Sequence, residues 1–336
     1  MPKEVETVGN QEVLCWAKGV FGTTQPFSAG FLSLYVVESE GEALLVDAGA
    51  GENECSYRLL DEVGVPANRT TLWLTHLHRD HTGNASQLAG EGARLEMRRS
   101  RNEGEPFDPA DVFRLAGFEA GPSHRRTYHQ IDANASEAAI GHPIEKLDAG
   151  ETVRIGSRTF RVIEFAGHAK GHGGLYEEET GIVFTGDQII DGIVPTVTSM
   201  RLDRHDMERF HESLEAVRAL HPRVMFPAHL HPVFGEQAIN EVIDGIEDSF
   251  GKIVKKAGDI LAARDEWMTA AEFARVFYGY RVGGFATFST VEQAFRLTKL
   301  LAYFEELCDQ GRAQRRIDDD GSARYRIAPP GPHIVV

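Results

Sequence analysis

The sequence predicts a mixed α/β domain over residues 1–235, followed by a smaller helical domain over residues 236–336. Apolar, β-like runs recur through the first part, and four of them stop at a His or an Asp. Beyond residue 236 the pattern changes to helical stripes. A chain of 336 residues is long enough for one large core and a smaller attached domain.

The first predicted elements form a β-hairpin. Residues 31–37 and 43–46 are β-rich apolar runs, and a turn at residues 38–42 separates them. The second run stops at Asp47, which precedes Ala48 and Gly49. A metal-ligating role is one interpretation of Asp47, but we expect it to orient a neighbouring loop through hydrogen bonds.

The middle of the first domain combines short elements with a long, weakly patterned region. Residues 56–63 read as a helix, and residues 72–74 form a buried apolar run. Regular elements are few over residues 85–150, so we interpret about 90–150 as an insertion or lid, because long loops often cover functional sites. Solvated surface is the alternative for any single residue there.

The remaining strands of this domain are short. Residues 152–155 and 159–165 read as a hairpin, and residues 182–184 and 224–226 are further apolar runs. A helix is expected at about residues 206–220. Strands of one sheet present their carboxyl ends along a single edge, so the polar residues after these runs are expected to converge.

The C-terminal residues predict a small winged-helix-like domain. Residues 239–253 keep a helical apolar stripe, and the capping boxes at residues 269–272 and 289–292 each open a helix. Residues 313–327 read as a hairpin that turns at the acidic residues 319–322. An acidic wing tip suits phosphates poorly, so packing or homodimerisation is expected rather than DNA binding.

Composition limits the partners that the chain is expected to have. The net charge of -16 disfavours nucleic acid as a partner and leaves a small molecule as the expected substrate. The three scattered cysteines do not form a disulfide framework, which indicates a reducing compartment. No apolar run reaches membrane-spanning length. We therefore expect a cytoplasmic protein that does not enter a membrane.

A dense group of metal-ligating side chains follows the run at residues 72–74. It contains His76, His78, Asp80 and His81. Residues two apart in an extended segment point the same way, so His76 and His78 are placed to bind one ion. Asp80 and His81 lie past the strand end, where they are able to face a second ion. Imidazole and carboxylate without thiolates suit a zinc, iron or similar site that is not a closed structural zinc site.

Together these motifs resemble those of the metallo-β-lactamase-fold hydrolase superfamily. The matching pieces are His76-x-His78-x-Asp80-His81, Gly167-His168, Gly186-Asp187 and Pro227-x-His229, in the family's order over roughly residues 10–235. The resemblance implies a four-layer αββα sandwich with the site at one edge of two sheets. The C-terminal tail looks like that of a subgroup that contains lactamase-like hydrolases and ribonucleases.

The resemblance also implies a ligand set for two divalent ions. His76, His78 and His168 would bind the first ion, Asp80, His81 and His229 the second, and Asp187 would bridge them. This chain reads Pro-Ala-His where the family often has Pro-Gly-His, and His231 follows closely. We favour His229 as the ligand, because it sits after Pro227 at the strand end. We expect His172 to contact the ligands or to stabilise the fold rather than to bind an ion. Zinc is the expected metal, with iron or manganese as alternatives.

Three classes of function fit this pattern. The first is hydrolysis of an ester-type carboxyl bond, a thioester or lactone above all, by a hydroxide shared between the ions, with Asp80 orienting it and accepting its proton. The second is phosphodiester or RNA cleavage at the same ions. The third is a binding or regulatory protein without turnover. A diiron oxidoreductase is disfavoured, because that branch has an acid where this chain has His78.

Basic and aromatic residues of the predicted insertion are candidates for substrate binding. Basic residues cluster at 98–101 (Arg-Arg-Ser-Arg) and 124–126 (His-Arg-Arg) within a strongly acidic chain. The planar fork of arginine suits a carboxylate or phosphate. We therefore assign substrate binding to Arg125, Arg126, Tyr128 and His129. Solvated surface charge is the alternative.

Neutralising Arg125 and Arg126 together tests this assignment. For an anionic substrate we expect KM to rise about tenfold or more, because a charged hydrogen bond contributes roughly 1.5–3 kcal/mol. The measurement is steady-state kinetics of the double glutamine variant. An unchanged KM would assign both arginines to the solvated surface.

Overall fold

The computed structural model of the chain describes residues 5–8, 11–27, 30–101, 108–126, 136–202 and 204–329. Its helices have the following bounds: α1 Cys55–Val63, α2 Ala85–Gly90, α3 Pro109–Leu115, α4 Glu137–Ile140, α5 Asp206–Arg218, α6 Glu236–Arg264, α7 Ala270–Phe277 and α8 Thr290–Asp309. Short 3-10 helices cover Ala67–Arg69 and Gly284–Thr287. None of the helices in these ranges combines the length and apolar character that crossing a membrane requires.

The first sheet has eight strands that lie in chain order. They are β1 Val5–Val8, β2 Gln11–Ala17, β3 Val20–Phe27, β4 Gly30–Ser39, β5 Glu42–Val46, β6 Thr70–Leu74, β7 Arg94–Arg98 and β8 Glu145–Leu147. Strands β1 to β5 pair antiparallel, and β5 to β8 pair parallel. The parallel half brings the carboxyl ends of β5 and β6 to the same edge, where Asp47 and the histidine motif follow.

The second sheet has six strands in the order β14-β13-β12-β11-β10-β9. Their bounds are β9 Thr152–Ile155, β10 Arg158–Glu164, β11 Gly173–Glu177, β12 Ile182–Gly186, β13 Val224–Pro227 and β14 Val233–Phe234. Only β12 and β13 pair parallel among these strands. The ends of β12 and β13 therefore lie side by side.

The two sheets pack face to face through one shared core. Tyr35, Val46 and Trp73 of the first sheet pack with side chains such as Phe160 and Phe184 of the second. Two hydrogen bonds cross this core: Trp73 Nε1 donates to the Gly173 carbonyl at 3.2 Å, and Tyr35 Oη donates to the Pro227 carbonyl at 3.0 Å. Successive side chains along a strand point to opposite faces of its sheet. The residues next to these core residues in the sequence therefore point away from the other sheet.

Helices cover the outer face of each sheet. On the first sheet, Leu45 and Leu72 pack with Leu59 of α1 and Leu88 of α2. On the second sheet, Ser213 of α5 accepts a hydrogen bond from the Ala166 backbone at 3.0 Å. The result is the helix–sheet–sheet–helix order that the sequence predicted. The runs at β4, β5, β6, β9, β10, β12 and β13 all lie where they were expected.

Two parts of the first domain differ from the sequence-based expectation. Strands β1 to β3 were not expected, because their side chains mix polar and apolar residues. Strands β7 and β8 lie inside the stretch that was interpreted as an insertion. The apolar signal of β7 is only Leu95 and Met97 between charged residues, and β8 is three residues long. Both strands are held by sheet pairing that a local pattern does not reveal.

The C-terminal residues form helices and a small third sheet. Both predicted capping boxes are present, with Thr269 capping α7 and Ser289 capping α8. Strands β15 Met268–Thr269, β16 Ala313–Ile317 and β17 Ala323–Ile327 pair in the order β15-β17-β16. The predicted hairpin is therefore formed. Its interpretation as the wing of a winged helix stays a prediction.

The chain groups into two compact units. One contains the described residues within 1–103, 133–195 and 213–246, and the other contains those within 104–132, 196–212 and 247–336. Two internal segments thus group with the C-terminal residues. The predicted division at residue 235 and the role of the insertion as a lid stay predictions.

Candidate metal centre

The candidate residues follow strand ends at one edge of both sheets. His76 follows β6 of the first sheet, and Asp187 directly follows β12 of the second. His168 follows β10, and His229 follows β13. The structure thus brings together all seven residues that the sequence singled out as ligands, and they form two groups.

The first group contains His76, His78, His168 and Asp187, whose potential ligand atoms all lie within 4.8 Å of one another. His76 Nε2 lies 2.9 Å from His78 Nδ1, and His168 Nε2 lies 3.4 Å from Asp187 Oδ2. Nitrogen and oxygen donors that converge this closely from separate loops match the needs of a metal ion better than those of a hydrophobic core.

The second group contains Asp80, His81 and His229. The Nε2 atoms of His81 and His229 each lie 3.7 Å from Asp80 Oδ2. Asp187 Oδ1 lies 3.6 Å from His81 Nε2 and 3.3 Å from His229 Nε2. One oxygen of Asp187 therefore faces the second group, and the other faces the first.

Asp47 orients the histidine motif through hydrogen bonds, as the sequence predicted. Its carboxylate accepts from the Thr75 backbone at 2.8 Å, from Thr75 Oγ1 at 2.9 Å and from His81 Nδ1 at 2.8 Å. The bond to Nδ1 turns the Nε2 of His81 toward Asp80 and Asp187. Asp47 adopts a left-handed backbone conformation with φ of 61°. Such a bond to the far nitrogen of a histidine commonly fixes a metal ligand.

Thr75 is a supporting residue that the sequence reading did not single out. Besides its bonds to Asp47, its Oγ1 lies 3.0 Å from His76 Nδ1. The signal available was a hydroxyl residue directly before the first histidine. Thr75 thus connects the strand end, Asp47 and His76.

The structure distinguishes His229 from His231. His229 is buried and faces Asp80 and Asp187, whereas His231 is exposed and its ring packs edge-on against Phe31 at 4.8 Å. The His229 loop is fixed to β4, because the Ser33 backbone donates to the Ala228 carbonyl at 2.8 Å. The geometry therefore favours His229 as the ligand.

Burial and mutual repulsion control the protonation of the cluster. Burial, followed by the charges of His81 and His78, lowers the pKa of His76 well below its usual value. Burial, followed by His168 and His81, lowers the pKa of His78 to about 3. Burial would raise the pKa of Asp187, but His81, His229 and His168 outweigh it and hold that pKa well below its usual value. Neutral imidazoles and an ionised carboxylate are the forms that bind metals.

His81 differs from the other histidines. Burial lowers its pKa, but the carboxylates of Asp47 and Asp187 outweigh this effect and raise that pKa well above its usual value. The cluster thus favours positive charge at this position, which a bound cation would supply in place of the proton.

Unpartnered polar atoms also fit a cation at this place. His81 Nε2 and Asp187 Oδ1 are buried and have no hydrogen-bond partner among the residues that the structure describes. Leaving buried polar atoms unpaired is costly, and a metal ion is one way to satisfy them. The donor set of imidazoles and carboxylates fits divalent ions such as zinc, iron or manganese.

The arginines of the cluster at residues 98–101 pair with acids of the fold. Arg98 is buried, and its Nη1 lies 3.3 Å from Glu164 Oε1. Arg101 also pairs with Glu164, and Arg99 pairs with Asp148. These acids lie far away in sequence, so the local pattern did not reveal them. The ion pairs connect the cluster to the fold, and a role of its arginines in substrate binding stays a prediction.

The predicted substrate-binding residues are not tested by the structure. Arg125 and Arg126 are exposed at the end of a helical turn over residues 122–126 of the second unit. Tyr128 and His129 lie outside the described residues. Their assignment stays a prediction.

The fold and the site define a metallo-hydrolase-like architecture, and comparisons identify its family. The sequence profile of the metallo-beta-lactamase superfamily matches residues 29–229, which is more than half of the chain. The chain therefore belongs to the metallo-β-lactamase superfamily. It is also similar over nearly its whole length to the crystal structure of a beta-lactamase domain protein from Burkholderia ambifaria, with a TM-score of 0.75, 23% identity and 94% of each chain covered.

Two similar relatives carry enzymatic names. The chain is 27% identical over 157 residues to a hydroxyacylglutathione hydrolase of Erythrobacter litoralis, covering 46% of each chain. It is 29% identical over 157 residues to the hydroxyacylglutathione hydrolase GloC of Haemophilus influenzae, covering 46% of this chain and 65% of the relative. The match thus spans less than half of the first relative's length and about two thirds of the second's.

Replacing Asp47 by Asn tests its supporting role. The substitution removes the charge and part of the acceptor capacity that Thr75 and His81 use, so we expect the free energy of unfolding of the metal-free protein to fall by about 1–3 kcal/mol. Urea unfolding measures this quantity. Asp61→Asn on the exposed side of α1 is the matched control, with a change within about 0.5 kcal/mol. Equal loss in both variants would contradict the role.

Proposed function

We propose that the chain is a binuclear metallo-hydrolase that cleaves an ester-type carboxyl bond, with a thioester as the preferred substrate and a lactone as the next. The observation that carries the binuclear part is the position of Asp187, whose two oxygens face two separate ligand groups. The thioester part is supported by the two relatives named as hydroxyacylglutathione hydrolases.

The proposed ligands follow the two groups. His76, His78 and His168 hold one ion, and Asp187 bridges to the other. Asp80, His81 and His229 hold the second ion. Zinc is the proposed metal, because imidazole-rich sites with carboxylates suit it, with iron or manganese as alternatives.

Bound ions would supply Lewis acidity and lower the pKa of a water molecule toward neutrality. The residues of the chain then have separate tasks. Asp80 is the most open of the carboxylates in the cluster, with 19% of its side chain exposed against 11% for Asp187. A partly open carboxylate beside the ligands is suited to orient the attacking water and accept its proton. Asp47 stays buried and holds His81.

The acidic character of the chain supports a small substrate over a nucleic acid. A net charge of -16 would repel the phosphates of RNA over most of the surface. A reducing compartment and the cytoplasm stay part of the proposal, as does the winged-helix character of the C-terminal residues.

A substrate panel tests the reaction class directly. The full chain, loaded with Zn²⁺, is assayed against acyl thioesters, lactones and phosphodiesters of matched size. We expect the highest kcat/KM with a thioester. A preference for phosphodiesters would replace the proposal with the nuclease-type alternative, and absence of turnover on all three would favour a binding protein.

Metal content is the first quantity that the proposal predicts. Seven ligand side chains exceed what one tetrahedral ion uses, so we expect close to two divalent ions per chain. Elemental analysis of protein purified without chelator measures this. A reproducible value near one that added metal does not change would contradict the binuclear site.

Replacing Asp80 by Asn tests its proposed catalytic role. We expect kcat to fall by about 10²-fold or more, because general-base catalysis contributes that much, while the fold and most bound metal remain. The measurements are kcat, metal content and thermal unfolding, with Asp61→Asn as the charge-matched control. A kcat within about tenfold of the parent would contradict the role of Asp80 as a general base.

A further inference from the structure

His172 is a fully buried histidine that neither proposed ligand group uses. Its ring lies beside His76 at 4.8 Å and beside Phe165 at 5.4 Å. Its Nε2 accepts a hydrogen bond from the backbone N–H of Asp187 at 3.3 Å. We infer that His172 is a positioning residue that fixes the main chain of Asp187, so that the carboxylate of Asp187 faces both ligand groups. The inference rests on the proposed binuclear site.

The main chain of His172 is itself held on several sides. Its carbonyl accepts from the Phe165 backbone at 3.1 Å and from Arg98 Nε at 2.8 Å. The next residue, Gly173, donates its N–H to the Thr75 carbonyl at 2.9 Å. Arg98 is in turn paired with Glu164. The imidazole therefore projects from a fixed backbone, as a residue that positions another must.

Gly186 shows how closely the ring approaches the main chain that it positions. A Cβ at Gly186 would lie 2.5 Å from His172 Nε2 and 2.9 Å from Thr75 Cβ, and its φ is 53°. Only glycine combines this backbone conformation with that contact at low cost. The tight turn before Asp187 is thus built around the imidazole.

The hydrogen bond that the Asp187 N–H donates to His172 supplements backbone hydrogen bonds that hold the residues around Asp187. Gln188 donates its N–H to the Thr185 carbonyl at 3.0 Å, and Ala228 donates to the Gly186 carbonyl at 3.0 Å. The register between β12 and β13 shifts at Gly186, where regular sheet pairing ends. The acceptor for the Asp187 N–H therefore comes from a side chain, and that side chain is His172.

A matched pair of substitutions separates hydrogen bonding from packing. His172→Gln places an amide oxygen where Nε2 lies and keeps the acceptor. The methionine of His172→Met matches glutamine in length and fills similar space, but its thioether sulfur is a weak hydrogen-bond acceptor. We expect the Met variant to bind one of two Mn²⁺ ions about ten- to hundredfold more weakly, as with other outer partners of metal sites. The Gln variant is expected to remain within about threefold of the parent.

Metal binding and spin coupling are the measurements. Calorimetric titration of the metal-free full chain with Mn²⁺ gives both affinities, and electron paramagnetic resonance of the loaded protein reports whether two ions share a bridge. Loss of the coupled signal in the Met variant, with the signal kept in the Gln variant, is the expected result. Equal affinities in Met and parent, or equal loss in Met and Gln, would overturn the inference.

A measurement on the parent protein makes the test independent of variant folding. An acceptor Nε2 requires the ring proton on Nδ1. Nitrogen-15 NMR of the imidazoles of the metal-free protein, with His172 assigned from its substitution or from backbone correlations, reports this tautomer. A proton on Nε2 of His172 would overturn the inference.

These readouts separate the inference from the proposed reaction. If no ester is hydrolysed but Met weakens Mn²⁺ binding and Gln restores it, the positioning role stands and the reaction class fails. If thioesters are hydrolysed and the His172 variants bind Mn²⁺ as tightly as the parent does, the positioning role fails and the reaction class stands.

Discussion

The proposed site depends on one constraint: the carboxylate of Asp187 must lie between two groups of candidate ligands that come from different loops. Its oxygens lie within 3.3 to 3.6 Å of three imidazole nitrogens. Such positions are held only if the backbone before and after Asp187 is fixed. The left-handed Gly186, the hydrogen bond from the Asp187 N–H to His172 and the parallel partner strand β13 all restrain this backbone.

Further polar residues hydrogen-bond to the candidate ligands on the side away from the cluster. Asp47 and Thr75 connect the ends of β5 and β6 to the rings of His76 and His81. Buried polar groups are costly unless each finds a partner. In this cluster, residues at neighbouring strand ends provide most of the hydrogen-bond partners. The polar cluster can therefore lie next to the apolar core between the sheets.

Much of this arrangement could be predicted from the sequence, and the reasons are local. The spacing of His76, His78, Asp80 and His81 is readable without a structure, and each later candidate ligand lies within three residues of the end of an apolar run. The class of fold followed from those runs and from the family resemblance. The preference for His229 over His231 followed from its place beside Pro227 at a strand end.

The features that the sequence did not predict depend on contacts between distant parts of the chain. Strands β7 and β8 have too few apolar residues to be recognised, and they form because β6 offers a partner edge. In the sequence Arg98 looks like one of several surface cations. In the structure it pairs with Glu164, which lies 66 residues later in the chain. The acceptor role of His172 requires the position of the Asp187 N–H, which no sequence pattern encodes.

The packing of the two sheets has a consequence for folding. In the proposed arrangement, each ion takes ligands from both sheets: His76 and His78 with His168, and Asp80 and His81 with His229. Neither sheet alone would assemble a complete coordination sphere, so metal affinity would report on how fully the sheets are docked. The ions would then act as cross-links between the two halves of the sandwich, and docking and metal uptake would become one cooperative event.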